Sequence, residues 1–496
     1  MSLLAIEIKA LEQLKGVNAR SVFARVQAQP FAMLLDTCNN RLSDGRYDII
    51  VHRPAATYRY HNKKSHLSVN SEGFADLSSL VMTNSPFQDL SRIHQAFAAK
   101  VNFAAYQDHP LPFLIGCMGL FGYDINIQTD AIDDIKPQQY QLDDIAVGVY
   151  EQSLIFDNYT GEVFHVYVEG ADEAWLDELL GSVHGPESHE PESHKPEIHK
   201  SENHKSEIAF KLLAPWQANM NEREYHDSMT AISEYLKAGD CYQINFAQRF
   251  SAPYEGSEWQ AYEQLTAVNK APFSSFIRLQ NSTVICVSPE RFISVKNRQV
   301  STKPIKGTRK RSDDPMTDKA LADALLNSEK DRAENLMIVD LLRNDLSKHC
   351  KPHSVKVPHL FALESYPAVH HMVSTVTGEL KDDASPFDLL AGAFPGGSIT
   401  GAPKVRAMQI IAELEPDKRS IYCGSIGYVG VRSDMDTNIC IRTLLAENGV
   451  MHCWAGGGIV LDSEANDEYH ESFHKVAKIL PVLEASLTNP KNKKAS

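Results

Sequence analysis

Val287-Ser-Pro-Glu-Arg-Phe292 and, a few positions on, Ser301-Thr-Lys-Pro-Ile-Lys-Gly-Thr308 bracket the segment from which the rest of this 496-residue chain is read. Glu290 precedes Lys306 by sixteen residues, room for one strand, a turn and the return strand. An antiparallel pair of that length can bring both side chains to one site. Taken alone, a Lys in so basic a stretch reads as a solvated surface charge. An amine is a nucleophile only when deprotonated, so Lys306 could act as one only with its pKa lowered by burial or by neighbouring cations. Lys303, Arg309, Lys310 and Arg311 stand close in sequence and could supply them. A Glu held partly desolvated beside that amine has a raised pKa and can donate a proton to a leaving hydroxyl.

Outward from this segment, the C-terminal part mixes β-rich runs at 283–287, 425–431, 439–445 and 451–454 with amphipathic stretches. The clearest helix spans 319–348, with Leu321, Leu325, Leu336 and Leu341 at helical spacings. A second runs from about 467 to 480, with Phe473, Val476, Ile479 and Leu480 on one face, and Pro481 ends or kinks it. The N-terminal part reads as short strands at 31–35, 47–51, 146–150 and 163–168. Strands in runs, interspersed with long helices, place the chain in the α+β class. Residues 186–207 read PESHE-PESHK-PEIHK-SENHK-SE, a five-residue imperfect repeat. Apart from Ile198 it has nothing apolar to bury, so it cannot offset its ordering entropy and is expected to be a mobile linker. His189, His194, His199 and His204 recur through it, and a solvated insertion is the preferred reading over a metal scavenger. The expected organisation is an N-terminal region, 1–183, the flexible insertion, 184–209, a catalytic region, 210–486, and a disordered tail, 487–496.

A formal net charge of -15 argues against nucleic acid as a partner, which needs clustered Lys and Arg. The eight Cys show no C-x-x-C and no regular spacing, as expected of buried free thiols in a reducing compartment. The N-terminus is acidic early and lacks a sustained apolar core, and the most apolar stretch, 111–123, is too short and Gly-rich to span a bilayer. The expected location is the cytoplasm, with no membrane partner.

Two further constellations carry chemistry. Asp331-Arg-Ala-Glu334 and Glu468-Tyr-His-Glu471 each space two carboxylates i,i+3 on one helix face. Phe394-Pro-Gly-Gly-Ser-Ile-Thr-Gly-Ala-Pro-Lys404 and Ala455-Gly-Gly-Gly-Ile459 are Gly-rich, which lets backbone N–H groups approach an anion. The first stretch has Ala402 where a phosphate loop needs Lys, so nucleotide binding is rejected. Taken singly, either stretch also reads as a tight turn between strands.

The segment 287–308, with Ala32-Met-Leu-Leu35, Leu120-Phe-Gly-Tyr123, Gly239-Asp-Cys-Tyr-Gln-Ile-Asn245, Asn335-Leu-Met-Ile-Val-Asp-Leu-Leu-Arg-Asn-Asp345, His370-His-Met-Val-Ser374 and Ile441-Arg-Thr443, resembles the chorismate-utilising enzymes. The resemblance covers essentially the whole chain apart from the insertion. A Lys within Pro-Ile-x-Gly-Thr marks the aminodeoxychorismate synthase component I branch, where anthranilate synthases have Ala. Isochorismate and salicylate synthases carry a water-activating Lys where this chain has Gln243, a poor base, so water addition is disfavoured.

The resemblance implies a large α+β sandwich, two antiparallel sheets face to face with helices outside. It implies that chorismate and ammonia give 4-amino-4-deoxychorismate, the precursor of 4-aminobenzoate and folate. In that reaction Lys306 attacks ring carbon C2 while Glu290 protonates the departing C4 hydroxyl, and ammonia then attacks C4 and expels the lysine. Mg²⁺ is implied as cofactor, with Glu334 and Glu471 as direct ligands and Asp331 and Glu468 acting through water. Arg442, Tyr428 and the backbone of Gly456, Gly457 and Gly458 would hold the pyruvyl carboxylate. Gly307, Thr308, His371 and Ser398 would line the ring. No Cys lies in the Gly-x-Cys-x-Gly elbow of class I amidotransferases, so ammonia is expected from a separate glutamine amidotransferase subunit. Thr37, Arg46, Tyr47, Pro272, Phe273 and Ser274 stand where relatives hold tryptophan. Anthranilate synthase component I and a silent tryptophan-binding regulatory subunit remain the alternative readings.

Overall fold

The computed structural model describes residues 3–39, 45–125, 132, 136–181, 208–366 and 369–487. The repeat at 186–207 and the end of the tail from 488 lie outside the described residues. Two large, mainly antiparallel sheets dominate the rest. The first runs, in order of pairing, Lys211–Leu212, Gln243–Glu255, Val450–Ile459, Thr443–Glu447, Ser282–Ser288, Phe273–Arg278, Met33–Asp36, Tyr47–Val51, Gln152–Asp157, Val163–Val168, Leu4–Ala10 and Val101–Asn102. The second runs Ile305–Lys310, Val369–Glu379, Gln299–Thr302, Arg291–Lys296, Met435–Asn438, Ser425–Gly430, Gly116–Phe121, Ile145–Tyr150, Ala56–His61 and Lys64–Val69. Both sheets draw strands from either side of the insertion.

Strand alternation explains how the first sheet serves two cores. Met33, Ile49, Val51, Ile155, Val284 and Cys286 point to the side shared with the second sheet. Their neighbours Leu34, Ile50, Leu154, Phe156, Ile285 and Val287 point the other way, onto Phe23, Trp175, Trp259 and Leu483 of flanking helices. A period of two distributes successive side chains to opposite faces, and here both faces are apolar because both are covered. A third cluster forms where helix Glu222–Ala238 lays Tyr225, Met229, Ile232 and Leu236 against Phe246 and Ile410. Asn221 opens that helix with a capping box and Gly239, at φ 81°, closes it. All eight cysteines are buried free thiols. Among the described residues no helix is long and apolar enough to cross a membrane.

Three elements differ from the sequence reading. The helix expected over 319–348 is two, Pro315–Leu326 and Glu329–Ser347, because Ser328 turns extended (φ -68°, ψ 110°) and caps the second through the Asp331 N–H. The run 439–445 is strand only from Thr443, since Arg442 sits at φ 53°. The helix near the C-terminus ends at Val476, and Pro481 starts a new one, Leu480–Glu484, rather than kinking the old. Phe473 is more than a third exposed, while its ring packs on buried Phe250 at 5.2 Å. The segment after Glu290 does form strand and return strand. Arg291–Lys296 turns at Asn297 and Arg298, both at positive φ, into Gln299–Thr302. Pro304 interrupts that strand, and Ile305–Lys310 continues along the same partner, Val369–Glu379.

Candidate active site

Glu290 occupies the corner between Ser282–Ser288 in the first sheet and Arg291–Lys296 in the second. Its N–H donates to Ser288 Oγ at 3.2 Å and its carbonyl accepts from the Ile439 N–H at 3.0 Å, so its backbone is fixed from both sides. Ser398, in the single turn Gly397–Ile399, joins Glu290 to Lys306. The Ser398 hydroxyl donates to Glu290 Oε1 at 3.4 Å, and Lys306 Nζ donates to the Ser398 carbonyl at 3.3 Å. Burial pushes the Glu290 carboxyl up to about 7, against the pull of Lys306, Ser398 and Arg442. Burial pushes the Lys306 amine below its usual range, with Glu290 and Glu334 opposing. A carboxyl that keeps its proton near neutrality therefore stands beside an amine that more readily loses one.

Arg442, half-buried and at φ 53°, supplies positive charge at the same place. Burial depresses its guanidinium with Glu290 opposing, and its field reaches both Glu290 and His371. His371 Nδ1 lies 2.8 Å from Thr308 Oγ1, and burial with Arg442 pushes the imidazole down to about 4, leaving it neutral at pH 7.

The two carboxylate pairs sit in the first two turns of Glu329–Ser347 and along Ala465–Val476. Burial raises Glu334, with Lys306 and Lys330 opposing. It raises Glu468 too, although Ser463 Oγ donates to that carboxylate at 2.7 Å. Glu471 is 49% exposed. Partial burial pushes it up, but Lys475 beside it, with Lys330 and Lys306, outweighs this and holds it below the usual range. Asp331 pairs with Arg309 at 2.9 Å, and its carboxylate approaches the α-carbon of Gly307, where a Cβ would come within 3.0 Å. Gly307 itself has φ 80°.

The Gly run is not a turn. Gly456, Gly457 and Gly458 lie inside Val450–Ile459, opposite Ala247, Phe246 and Asn245. A Cβ on Gly457 would meet Glu468 Oε2 at 3.0 Å, Glu471 Oε1 at 3.3 Å and Lys475 Nζ at 3.4 Å, so the carboxylate pair rests on bare backbone. Gly458 likewise leaves space for Gln243, whose side-chain oxygen is buried and unpartnered. Among the described residues no three acidic, His or Cys groups already converge as a metal cage. Glu334 and Glu468 each feel the charge of Glu471, and the three offer the hard oxygen donors that Mg²⁺ accepts.

Comparison with known proteins bears on this geometry. The profile of the chorismate binding enzyme family matches residues 32–481. The chain belongs to the chorismate binding enzymes. Within that family it is similar to aminodeoxychorismate synthase component 1 of Klebsiella aerogenes, 45% identical over 470 residues, covering 94% of this chain and 97% of that one. Against anthranilate synthase component 1 of Aquifex aeolicus the identity is 32%, over 94% of this chain and 92% of that one. The crystal structure of anthranilate synthase component I from Streptococcus pneumoniae superposes with a TM-score of 0.71 at 29% identity, covering 88% and 92% of the two chains. The two-sheet α+β fold expected from the sequence is thus the fold of a chorismate binding enzyme.

Not every assigned residue reaches the cluster. Tyr428 does not. Its ring packs on Phe113 at 5.1 Å in the same core as Phe387 and Leu390, because strand alternation turns it into the sandwich. Thr37, Arg46, Tyr47, Pro272, Phe273 and Ser274 gather elsewhere in this chorismate binding enzyme, on the adjoining strands Met33–Asp36, Phe273–Arg278 and Tyr47–Val51 or next to them. There Thr37 donates to Asp48 at 2.7 Å and Arg46 pairs with Asp157 at 2.7 Å. Burial beside Asp36 pushes the Asp48 carboxyl up to about 6. One group at the active cluster escaped the sequence reading. Lys475 binds Glu471 at 2.6 Å and the Gly456 carbonyl at 2.8 Å. Its signal was present as a Lys four residues after Glu471 on one helix.

Proposed function

We propose that this chain converts chorismate and ammonia to 4-amino-4-deoxychorismate. The observation that carries the reading is Lys306, an amine with a lowered pKa held within one serine of a proton-retaining Glu290. Its relatives named aminodeoxychorismate synthase component 1 cover almost the whole chain and support it.

In this reading neutral Lys306 forms a bond from Nζ to ring carbon C2. Both ring double bonds shift, the C4–oxygen bond breaks, and Glu290 gives its proton to the departing hydroxyl, which leaves as water. Ammonia then bonds to C4, both double bonds shift back, and the Lys306–C2 bond breaks to return the amine. Two easier displacements replace one hard one. Arg442 and the N–H groups along the Gly strip hold substrate carboxylate, while Thr308, neutral His371 and Ser398 line the ring and Gln243 sets one edge. Glu334 and Glu471 would hold Mg²⁺ directly, with Glu468 and Asp331 through water. Bound there, Mg²⁺ supplies a Lewis acid for the ring carboxylate. Ammonia comes from a separate glutamine amidotransferase chain, in keeping with the words "component 1" in the relatives' names. The Thr37–Ser274 cluster takes tryptophan or a similar amino acid.

The test is intact-protein mass spectrometry during turnover without ammonia. Wild type is expected to gain a chorismate-derived increment, the mass of chorismate less water, and Lys306→Ala is expected to show none and to lose activity by on the order of a hundredfold or more. Unmodified wild-type protein under trapping conditions would defeat the nucleophile role.

A further inference from the structure

We infer that Arg419 is a positioning residue for the Glu290–Lys306 pair, acting through the Ser398 turn; the inference rests on the reaction proposed above. Arg419 is 1% exposed, and its guanidinium is shared among three parts of the chain. Nη1 donates to the Ile399 carbonyl at 2.9 Å, directly after Ser398. Nη2 donates to the Asn245 carbonyl at 2.7 Å, on the strand that pairs with the Gly run. Nε and Nη2 grip the two Glu415 oxygens at 2.9 and 2.6 Å, and Glu415 Oε1 also accepts the Ala247 N–H at 2.8 Å. Tyr123 stacks on the guanidinium at 4.8 Å and Tyr422 at 5.7 Å.

The placement of these bonds is what gives Arg419 a role beyond packing. Ser398 contributes its hydroxyl to Glu290 and its carbonyl to Lys306, so any shift of the turn displaces acid and amine together. The turn is only three residues long, and no side-chain cap holds its start. Its far side is held by the Asn245 N–H on the Thr400 carbonyl and by Arg419 on the Ile399 carbonyl. The same guanidinium fixes Asn245, the residue opposite Gly458, so it ties the reacting groups to the anion-holding strip. A planar fork can reach all of these acceptors at once, whereas an ammonium is a point charge that cannot span them.

The experiment is a double-mutant cycle between Arg419→Lys and Ser398→Ala on the full chain, with chorismate, Mg²⁺ and ammonium salt. Arg419→Lys keeps the buried charge beside Glu415 but frees the turn. It is expected to lower kcat by on the order of tenfold to a hundredfold, as for a misplacement of about 1 Å. The KM for chorismate should change by less than about threefold, since Arg442 is untouched and the Gly run keeps its pairing with Phe246 and Ala247. In the Ser398→Ala background the same change should cost about tenfold less, because groups acting through a shared partner are not additive. Glu415→Gln loosens the guanidinium without removing it, should move kcat the same way by less, and carries the cycle if Arg419→Lys does not fold. Equal loss in both backgrounds, or parallel changes in kcat and KM, would assign Arg419 to the framework alone and overturn the inference while leaving the reaction standing. Wild-type protein that makes no aminodeoxychorismate would overturn both.

Discussion

At the scale of single residues, Glu290 and Lys306 show how burial makes chemistry. Glu290, with its carboxyl raised to about 7, is protonated below that pH and competent as an acid, and it loses the proton as pH rises through 7. The rate per unprotonated ammonia should therefore fall above about pH 7, and Glu290→Gln should abolish the fall while lowering kcat by roughly 10²- to 10⁴-fold. A pH profile corrected for the ammonia fraction checks both. The carboxylates divide differently. Glu334→Gln and Glu471→Gln remove a charge and a ligand position, whereas Asp331 is already committed to Arg309. Asp331→Asn should shift Mg²⁺ dependence by no more than roughly 10- to 100-fold, and the two Glu variants by more. Titration of activity against Mg²⁺ separates them, and equal shifts would remove the distinction. The nearness of Glu290 and Lys306 was legible because their spacing leaves room for strand and return strand and their motifs resemble those of a known family. Tyr428 was misplaced in the cluster because a motif gives position along the chain and not the face on which strand alternation sets the ring.

At the scale of elements, the break at Ser328 matters more than a boundary usually does. A continuous helix over 319–348 would leave Asp331 and Glu334 in mid-helix; the break puts Asp331 in a first turn, where the positive end of the helix dipole favours carboxylates, and Glu334 one turn further on. The leucine spacing carried through the break and hid it, although Asn327-Ser328 held the capping signal. Ser328→Ala should destabilise the protein by about 1 kcal/mol and Ser328→Gly by only a few tenths, read from urea unfolding midpoints. Identical midpoints for Ser328→Ala and wild type would mean the cap does not hold this end. The Gly run at 456–458 was legible as composition but not as strand. Local reading favours a turn wherever glycines cluster, and only pairing with Gln243–Glu255 makes the run extended.

At the scale of the whole molecule, the α+β class followed from the mixture of strand runs and helices, whereas strand order did not. The path from Ser282–Ser288 through Phe273–Arg278 to Met33–Asp36 joins residues more than two hundred positions apart, and no local pattern encodes that. Deletion of 186–207 with a short Gly/Ser connector should shift the melting temperature by less than about 2 °C, since loop-closure cost grows only slowly with length. A larger fall would show that the repeat packs. The central claim is the reaction itself, and product analysis tests it most directly. Purified chain incubated with chorismate, Mg²⁺ and ammonium salt at alkaline pH, then resolved by liquid chromatography with mass detection, should yield 4-amino-4-deoxychorismate with its enolpyruvyl group intact. Anthranilate with released pyruvate would contradict the account.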